Sequence, residues 1–550
     1  LAAVLSMLLA LAVGALAFRL RSLRGEIFAL LTLAVPFILA ALARFNSAID
    51  GGQGIIVTLP SFPDFIGGFQ DLVYLVSLLI GWASVAIAFA MQRSRPGWAL
   101  FSIRDAEDVA EGLGVPTFRY KMVAIAITGM LAGAAGSVFA LQVGFVTVEN
   151  AFGLTVPLYV IVMSVLGGRF HWLGPAIGAV VIVTLRDWLS AQGFEGWNLV
   201  ILGTVLAVLI LVAAEGLMAR LGIRPRLTVG AFVGVLLVMA GLTATNIGPF
   251  GELETIDWVA AGMIAASVVA FWPARWTRLR LVEPGEPEPA AEASVHPGEA
   301  QEAVAVAGAP IIEVVEVARH FGGIRALRGV SLTVSEGELV GLVGPNGSGK
   351  TTLISLISGA LAPTSGSIRI GGRETAGMEP HDIAHLGVAR TYQIPRPFAT
   401  MTVRDNVAMA LMFGREPLAL GAARAAAEEH LELVGLTHRA LALPAEINLH
   451  ERQLLEMARA IATRPRVLLL DEALAGLNPA EIDNAAQVVR RIHASGIAIV
   501  LVEHLLRVVN QLATRIVVLD QGLTLAEGAP ESVMRNPEVV RAYLGRQAHA

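Results

Sequence analysis

Long apolar runs fill the first half of the chain, and short ones alternate with polar residues in the second half. The change falls between about residue 273 and about residue 311. Runs long enough to cross, or nearly cross, a bilayer lie at about 1–18, 27–43, 72–91, 121–141, 154–166, 175–190, 197–213, 228–245 and 257–273. The pattern predicts a polytopic α-helical membrane domain of about nine spans, followed by a cytoplasmic α/β domain.

Glycines accompany three of these runs. The runs 154–166 and 175–190 are short and have glycine breaks between them, which predicts tilted or interrupted helices. Gly129 and Gly133, in the run 121–141, allow a neighbouring helix to approach closely. Helix packing is the favoured interpretation of these two glycines, and a substrate path lined by them is the alternative.

Arginine and lysine cluster in alternate connections between the runs. The clusters comprise Arg19, Arg21 and Arg24; Arg93, Arg95, Arg104, Arg119 and Lys121; Arg169; Arg220, Arg224 and Arg226; and Arg275, Arg278 and Arg280. The intervening connections contain almost none, Arg44 being the exception. Because basic connections stay on the cytoplasmic side, residue 275 onward is predicted to be cytoplasmic.

The chain opens at Leu1, inside an apolar run. We expect N-terminal membrane segments to precede it. A signal peptide is the alternative for Leu1–Phe18, but no basic stretch comes before the apolar residues, and the hydrophobic pattern continues.

Composition limits the partners and the chemistry. A net charge of −5 without a basic, aromatic-rich patch argues against a nucleic-acid partner. The absence of cysteine excludes disulfides and thiolate sites. Residues 281–310 are rich in Pro, Glu, Ala and Gly and lack aromatics, which predicts a flexible linker. The predicted organisation is a membrane domain at 1–226, two additional spans at 227–280, the linker at 281–310 and the α/β domain at 311–550.

A glycine-rich loop follows a predicted buried strand at Leu339–Val343, and a helix is predicted directly after it. The loop consists of Gly344, Pro345, Asn346, Gly347, Ser348, Gly349, Lys350 and Thr351, with Thr352 following. It fits the phosphate-loop pattern at every fixed position, so its backbone N–H groups should bind the phosphates of a nucleoside triphosphate. Lys350 is expected to reach the β/γ-phosphates and Thr351 to ligate Mg²⁺. A glycine-rich turn without a nucleotide is the alternative.

Acidic residues follow two further apolar strands. Val467–Leu470 ends in Asp471, which suits Mg²⁺ coordination through water, and Glu472, which suits polarising the water that attacks the γ-phosphate. A second strand-like run at 497–502 precedes Glu503 and His504. These residues, together with the loop, predict hydrolysis of the triphosphate.

The connection at 92–120 is long and carries many charged side chains. A short amphipathic helix, capped near Asp105 and ended by Gly112–Gly114, fits its sequence. We interpret it as a coupling helix that docks on an ATPase and carries its motion to the membrane helices. A solvated loop is the alternative.

Several stretches resemble a known family. In the membrane half, "IRDAEDVAEGLGVPTFRYKMVAIAITGMLAGAAGSVFA", "LRGEIFALLTLA", the Gly51-Gly52-Gln53-Gly54 turn and "VLGGRFHWLGPAIGAVV" resemble permeases of the branched-chain amino acid family of ABC importers. The resemblance covers about residues 1–222, lacks the family's first segments, and does not extend to the runs at 228–245 and 257–273. In the other half, the order of motifs over about 311–545 is that of ABC ATPases, and "ARTYQIPRPF" and "AGLNPAE" resemble the same importers.

The resemblance implies roles for further residues. Phe321 lies where ABC ATPases stack an aromatic ring on adenine, a core phenylalanine being the alternative. Gln393 resembles the glutamine presented to Mg²⁺ and the attacking water, and His504 resembles the switch histidine that contacts the γ-phosphate. The implied catalytic residues are Glu472, His504 and Gln393, and the implied metal ligands are Thr351, Gln393 and Asp471.

One family motif is altered. ABC ATPases carry Leu-Ser-Gly-Gly-Gln before a helix like "RQLLEMARAIA", and here that place is held by Ile447, Asn448, Leu449, His450 and Glu451. The family motif closes on ATP held by the opposite subunit. Asn448 can still donate a hydrogen bond, but His450 restricts the backbone where the family has glycine. We predict that this altered motif closes less well on the ATP of the opposite subunit. Sequence variation that the protein tolerates is the alternative.

The resemblance implies a fused permease and ATPase subunit of an ABC importer for branched-chain or related amino acids, embedded in the lipid of a bacterial inner membrane and using ATP and Mg²⁺. The implied partners are a second permease subunit, a second ATPase subunit and a periplasmic substrate-binding protein. An importer of another small polar solute, such as urea or an amide, is the nearest alternative. An ABC exporter would have long cytoplasmic helices without the connection at 92–120, and a membrane-anchored P-loop regulator would not need so many spans.

Overall fold

The computed structural model describes residues 1–19, 26–46, 53–58, 68–168, 170–191, 204 and 310–544. The chain forms two compact units. The first comprises Leu1–Arg93 and Met122–His296, and the second comprises Ser94–Lys121 and Pro297–Ala550. A short piece of the N-terminal half therefore belongs to the same unit as the C-terminal half.

Helices dominate the described part of the N-terminal half. They are α1 (Ala2–Arg19), α2 (Glu26–Phe45), α3 (Phe69–Arg93), α4 (Arg95–Gly112), α5 (Thr117–Val143), α6 (Val148–Phe152), α7 (Thr155–Gly167) and α8 (Gly174–Ala191). Among the described residues, α1, α3, α5 and the stretch Val148–Gly167 are long and apolar enough to cross a membrane. Each apolar run predicted before residue 191 coincides with one of the helices.

The predicted fold class is confirmed, because apolar helices precede an α/β domain. The runs at 228–245 and 257–273 lie outside the described residues, and so does the run at 197–213 apart from residue 204. Nearly all of the predicted linker lies outside them as well. The number of nine spans remains a prediction.

Helices α1 and α5 approach closely at two glycines. A Cβ added to Gly129 would lie 2.6 Å from the Cβ of Ala10, and one added to Gly133 would lie 2.5 Å from the Cβ of Ser6. Both distances are far below van der Waals contact, so neither position accepts a side chain without movement of α1. The interpretation of these glycines as packing residues is confirmed.

Helices α7 and α8 form a hairpin with touching backbones. A Cβ on Gly178 would lie 1.8 Å from the carbonyl oxygen of Met163, and one on Gly167 would lie 1.7 Å from that of Gly174. α7 ends at Gly167 and α8 begins at Gly174. The predicted glycine break between these two runs is therefore confirmed.

Two connections poor in basic residues are joined to each other. The short strands β1 (Ile55–Ile56) and β2 (Phe145–Val146) pair antiparallel. Arg44 Nη2 donates a hydrogen bond of 2.9 Å to Glu149 Oε1. Arg44, the exception to the alternating pattern of basic connections, thus forms an ion pair with Glu149 in the next connection that is poor in basic residues.

Two sheets form the framework of the second unit. Their strands are β3 (Pro310–Phe321), β4 (Ile324–Ser335), β5 (Leu339–Val343), β6 (Ser365–Ile370), β7 (Arg373–Glu374), β8 (Val388–Arg390), β9 (Val467–Asp471), β10 (Ala498–Val502), β11 (Arg515–Asp520) and β12 (Leu523–Gly528). The larger sheet has the order β12-β11-β5-β10-β9-β8, and the smaller sheet has the order β4-β3-β6-β7. All neighbours in the larger sheet are parallel except β11 and β12.

The central strands β5, β9 and β10 are buried along their whole length. This is the burial expected of parallel strands covered on both faces. The helices of the unit are α9 (Lys350–Ile357), α10 (Pro380–His385), α11 (Val403–Phe413), α12 (Leu420–Val434), α13 (Leu449–Ala462), α14 (Pro479–Ala494), α15 (Leu506–Leu512), α16 (Pro530–Met534) and α17 (Pro537–Leu544). The strand predicted at Leu339–Val343 is confirmed with the same bounds.

Candidate nucleotide site and docking segment

The predicted site residues follow four neighbouring strands of the larger sheet. β5 leads into the glycine-rich loop, β9 into Glu472, β10 into His504, and β8 into the segment that contains Gln393. Because these strands are parallel and adjacent, their carboxyl ends share one edge of the sheet. Open α/β sheets bind ligands at this edge.

Three glycines set the shape of the loop. Gly344, Gly347 and Gly349 have φ angles of +151°, +79° and +106°. A Cβ on Gly344 would lie 2.1 Å from the carbonyl oxygen of Leu519, and one on Gly349 would lie 2.6 Å from Leu327 Cδ2. Both positions therefore require glycine. Since Gly349 caps α9 without a side chain, the first N–H groups of α9 are left for an anion.

Two side chains of the loop lie inside it. Lys350 Nζ donates hydrogen bonds to the carbonyl oxygens of Gly344 at 2.7 Å and Pro345 at 3.0 Å. Burial lowers the pKa of Lys350, and nearby carboxylates oppose this shift. Ser348 Oγ is buried and has no hydrogen-bond partner among the described residues. A cation and an unused hydroxyl therefore line the loop, and both suit phosphate oxygens.

Asp471 and its neighbours offer oxygen atoms to a metal ion. Asp471 Oδ2 accepts a hydrogen bond of 2.8 Å from Arg390 Nη2, whereas Oδ1 is buried without a partner in the part of the chain that the structure describes. The hydroxyl of Thr351 lies on the exposed first turn of α9. Carboxylate, hydroxyl and amide oxygens are the donors that Mg²⁺ takes, so Asp471, Thr351 and Gln393 fit this ion.

Glu472 contacts Gln393 directly. Gln393 Nε2 donates a hydrogen bond of 2.6 Å to Glu472 Oε2. The backbone N–H of Glu472 donates to the carbonyl oxygen of Val502 at 2.8 Å. Glu472 also has a φ of +49°, a backbone conformation that is uncommon for a residue with a side chain. The two predicted catalytic side chains are therefore held together, and Glu472 is anchored to β10.

β10 leads into a buried acid and an exposed histidine. Glu503 is 0% exposed, and its Oε1 accepts a hydrogen bond of 2.9 Å from the backbone N–H of Leu474. Its Oε2 lies 3.9 Å from His504 Nδ1. Burial raises the pKa of Glu503 to about 7; the N–H of Leu474 opposes the rise, and the charge of Glu472 adds to it. The His504 side chain is 54% exposed.

Phe321 lies at the surface, at the end of β3. It is 43% exposed, so its interpretation as a core phenylalanine is wrong. The guanidinium of Arg319 lies 4.7 Å from the centre of its ring. The stacking of this ring on adenine remains a prediction.

The altered motif begins a well-capped helix. Asn448 Oδ1 accepts a hydrogen bond of 2.8 Å from the N–H of Glu451, and Glu451 Oε2 accepts one of 2.9 Å from the N–H of Asn448. This reciprocal capping box satisfies N–H groups at the start of α13. Burial lowers the pKa of His450, which Glu481 and Glu451 only partly oppose. An imidazole that favours its neutral form therefore occupies the position where the family has glycine.

The docking segment (Ser94–Lys121) shares a hydrophobic core with the helices of the second unit. Its buried side chains pack in one cluster with those of α11, α12 and α13. They are Trp98, Ala99, Val109, Ala110, Leu113 and Val115. Burying one Val or Leu side chain contributes roughly 1.5–3 kcal/mol, so the segment is held mainly by apolar contact.

Polar contacts fix the register of the docking segment. Asp105 Oδ2 accepts hydrogen bonds from the N–H and Oγ1 of Thr400, at 3.2 and 3.0 Å. The Tyr392 hydroxyl donates to the carbonyl oxygen of Asp108 at 3.1 Å. Gly114 has a φ of +95°, and a Cβ there would lie 2.3 Å from the carbonyl oxygen of Phe413. The segment therefore lies against the backbone just beyond Gln393 and the end of α11, and the solvated-loop alternative is wrong.

The docking segment contains two helical parts where one short helix is predicted. α4 starts at Arg95, and Ser94 Oγ accepts from the N–H of Gly97 at 3.4 Å. A kink at Ala106, with φ of −159° and ψ of +89°, separates its two parts. The predicted short helix, capped near Asp105 and ended at Gly112, is therefore confirmed as the part after the kink, whereas the part before the kink was not predicted. Ser94 followed by a proline at the second helical position was the missed signal.

Several residues that contact the site have no role that the sequence predicts. Arg390 binds Asp471, Thr391 Oγ1 accepts from the N–H of Asp471 at 3.3 Å, and Glu503 joins two loops. They belong to no spaced motif, and their partners are distant in sequence. Of these residues, only Glu503 left a sequence signal, because it directly follows an apolar run as Asp471 does.

Three family models match this chain. That of the branched-chain amino acid transport system permease component matches residues 1–213, that of the ABC transporter matches residues 327–475, and that of the branched-chain amino acid ATP-binding cassette transporter matches residues 524–549. Together they cover both halves.

Individual relatives match the C-terminal half. The high-affinity branched-chain amino acid transport ATP-binding protein BraF of Pseudomonas aeruginosa is 38% identical over 250 residues, which is 43% of this chain and 98% of BraF. LivG of Escherichia coli, with the same description, is 36% identical over 252 residues, 43% of this chain and 98% of LivG. A solved ATP-binding cassette of an ABC transporter in its ADP conformation is 30% identical and covers 43% of this chain and 99% of its own, with a TM-score of 0.40.

The match to nearly the full length of BraF and LivG, at more than a third identity, shows the family of the C-terminal half. The permease model shows that of the N-terminal half. The domain that contains the phosphate loop is thus a nucleotide-binding ATPase, and the protein is a membrane protein. The chain belongs to the branched-chain amino acid ABC transporters, with a permease and an ATPase fused in one polypeptide.

Proposed function

We propose that this protein imports branched-chain amino acids across the bacterial inner membrane, as one subunit of a larger ATP-driven transporter. BraF and LivG are named as high-affinity branched-chain amino acid transport proteins, which supports this substrate class. The alternating basic clusters support an ATPase domain on the cytoplasmic side. The partners are a second permease subunit, a second ATPase subunit and a periplasmic substrate-binding protein.

ATP binds at the carboxyl edge of the larger sheet. The loop N–H groups, Lys350 and the unpartnered Ser348 hydroxyl hold its phosphates, and Phe321 stacks on its adenine. Glu472 polarises a water that attacks the γ-phosphorus, and the bond to the β,γ-bridging oxygen breaks to give ADP and phosphate. His504 donates a hydrogen bond to the γ-phosphate. The hydrogen bond between Gln393 and Glu472 supports their action on one water molecule.

Mg²⁺ would be held by Thr351, Gln393 and Asp471, the last through water. When bound, it neutralises charge on the β- and γ-phosphates. Asp471 is prepared for this role because Arg390 occupies one carboxylate oxygen and leaves the other without a partner among the described residues.

The two ATP sites of the transporter differ. The site that contains this chain's loop has a full set of residues on this side. The opposite site is closed by Ile447–Glu451 of this chain, where the His450 imidazole replaces glycine. Since the imidazole occupies space at the start of α13 that glycine leaves free for a phosphate, we expect this second site to hydrolyse ATP more slowly.

Movement passes to the membrane helices through the docking segment. Gln393, which is proposed to contact Mg²⁺ and the attacking water, directly follows Tyr392. The Tyr392 hydroxyl donates a hydrogen bond to the carbonyl oxygen of Asp108. The helix α5 begins within the docking segment and continues to Val143 as a membrane-crossing helix. Closure of the ATP site therefore pulls on a helix of the permease.

The observation that carries this proposal is the docking segment, a part of the permease half whose side chains lie in the core of the ATPase half. The decisive measurement is the ligand of the substrate-binding protein that co-purifies with this subunit, followed by ATP-dependent uptake into vesicles. We expect binding and uptake of leucine, isoleucine and valine. A binding protein that takes urea or an amide and ignores these three would favour the alternative, and one specific for sugars or metals would refute the amino-acid assignment.

A further inference from the structure

Glu503 is a fully buried carboxyl that the chemistry above does not use. Its Oε1 accepts the N–H of Leu474 at 2.9 Å, in the loop that follows Glu472. Its Oε2 lies 3.9 Å from His504 Nδ1 and has no hydrogen-bond partner among the described residues. One side chain therefore binds the loop of the catalytic carboxylate and faces the imidazole that follows it in sequence.

His504 needs a hydrogen on Nε2 to act on the γ-phosphate, because phosphate oxygens accept hydrogen bonds. In the neutral ring, this tautomer leaves Nδ1 as an acceptor, and in the imidazolium both nitrogens are donors. A single proton between Nδ1 and Glu503 Oε2 satisfies either form. The carboxyl donates to neutral Nδ1, or protonated Nδ1 donates to the carboxylate.

The distance of 3.9 Å is too long for a hydrogen bond. The His504 side chain is half exposed, so the ring has room to turn toward Oε2. Bound nucleotide would favour this rotation of the ring, because the γ-phosphate attracts Nε2, the nitrogen opposite Nδ1.

We propose that Glu503 is a positioning residue for ATP hydrolysis, which holds the loop after Glu472 through Leu474 and fixes the His504 tautomer through Nδ1. The inference rests on the proposed role of His504 at the γ-phosphate. It does not depend on which solute is transported.

The test compares Glu503→Gln with Glu503→Met in the full chain, assembled with its partner subunits in lipid vesicles. Glutamine keeps an acceptor for Leu474 and supplies a donor for Nδ1, so we expect kcat for ATP within about threefold of the wild type. Methionine has a similar length and loses both hydrogen bonds, so we expect kcat to fall by about tenfold or more with little change in KM. In a His504→Ala background, Glu503→Met is expected to cause a smaller loss than in the wild type, because its effect through the imidazole is already gone and only the contact with Leu474 is removed.

An equal loss of kcat in both backgrounds would overturn the inference, as would an unchanged kcat for Glu503→Met. If the methionine variant fails to bind ATP, Glu503→Asp replaces it, since a side chain one methylene shorter cannot reach both partners. An aspartate variant with wild-type kcat then overturns the inference. Normal hydrolysis by His504→Ala alone would instead refute the proposed role of His504.

Discussion

Gln393 Nε2 and Glu472 Oε2 are 2.6 Å apart and join the loop after β8 to the loop after β9. The loop after β8 also contains Tyr392 and leads to Thr400, and both of these residues hold the docking segment. One hydrogen bond therefore separates the carboxylate proposed for hydrolysis from the surface that binds the permease half.

Glu472→Gln should remove most ATP hydrolysis and leave ATP binding intact. The amide has nearly the same shape but cannot polarise water as a carboxylate does, so we expect a fall of about 100-fold or more. The measurement is phosphate release by the assembled transporter, with ATP binding followed separately. Glu336→Gln is the matched control, because Glu336 precedes β5 at the opposite edge of the sheet. Hydrolysis that survives in Glu472→Gln would contradict the assignment.

Asp105→Ala should uncouple transport from hydrolysis. Two hydrogen bonds to Thr400 are lost, a change of about 1–3 kcal/mol at the joint, while the nucleotide residues are untouched. We expect uptake to fall several-fold with unchanged ATP binding. Glu107→Ala is the control, since Glu107 pairs with Lys121 inside the docking segment.

Replacement of Glu111 and Gly112 should act like Asp105→Ala. Loss of ATP binding in these variants would refute the docking role.

Restoring the family motif should have a smaller effect than removing the catalytic carboxylate. Asn448→Ser with His450→Gly returns a short cap and removes the imidazole from the start of α13. We expect the slower site to gain hydrolysis, and total hydrolysis to change less than in Glu472→Gln. Trapped nucleotide counted at each site is the measurement. Equal hydrolysis at the two sites of the unmodified transporter would show that the asymmetry does not exist.

The stability of the ATPase half should fall as the pH rises toward neutral. The folded pKa of Glu503, about 7, is above the ordinary value of 4.5, so the folded state holds this proton more tightly than the unfolded state. The stabilisation is complete below the lower value and is lost as the pH rises through the upper one, a change of about 3 kcal/mol. The charged groups that face Glu503 are Glu472, Asp471 and His504.

Thermal unfolding of the transporter at about pH 5 and about pH 8 tests this expectation. Glu503→Gln has no proton to lose, so it should be less sensitive to pH than the wild type over this range. Identical pH dependence of the two proteins would assign the effect to other groups.

Gly178→Ala should disrupt the membrane domain, whereas Gly136→Ala should not. A Cβ at residue 178 would lie 1.8 Å from the carbonyl oxygen of Met163, but one at residue 136 meets no described atom within 4 Å. Separating α7 from α8 by about an ångström or more removes their backbone contact, and we expect lower yield and uptake. The amount of folded protein extracted from membranes distinguishes the two variants. Equal yields would mean that α7 and α8 tolerate separation.

Local pattern was enough to predict the framework of this protein. The buried strands β5 and β9 are the short apolar runs that the sequence predicts as strands. The motif residues, which the sequence predicts to act on one triphosphate, follow parallel strands whose carboxyl ends share one edge of the sheet.

What the sequence did not predict depends on partners that are distant along the chain. The pairing of Arg390 with Asp471 spans 81 residues, and the contact of Glu503 with Leu474 spans 29. The start of α4 was missed for another reason. Its cap, Ser94, directly follows the end of α3, so the two helices looked like one membrane span followed by a loop.

The docking segment also has a consequence for how the protein is made. Trp98 and Leu113 lie in one hydrophobic cluster with residues of α11 and α13, so part of this core comes from residues that the ribosome synthesises roughly 300 residues earlier. The docking segment is synthesised before the helices that it packs against. Because both belong to one chain, their effective concentration is high. Fusion thereby keeps the docking segment close to the apolar side chains that it covers.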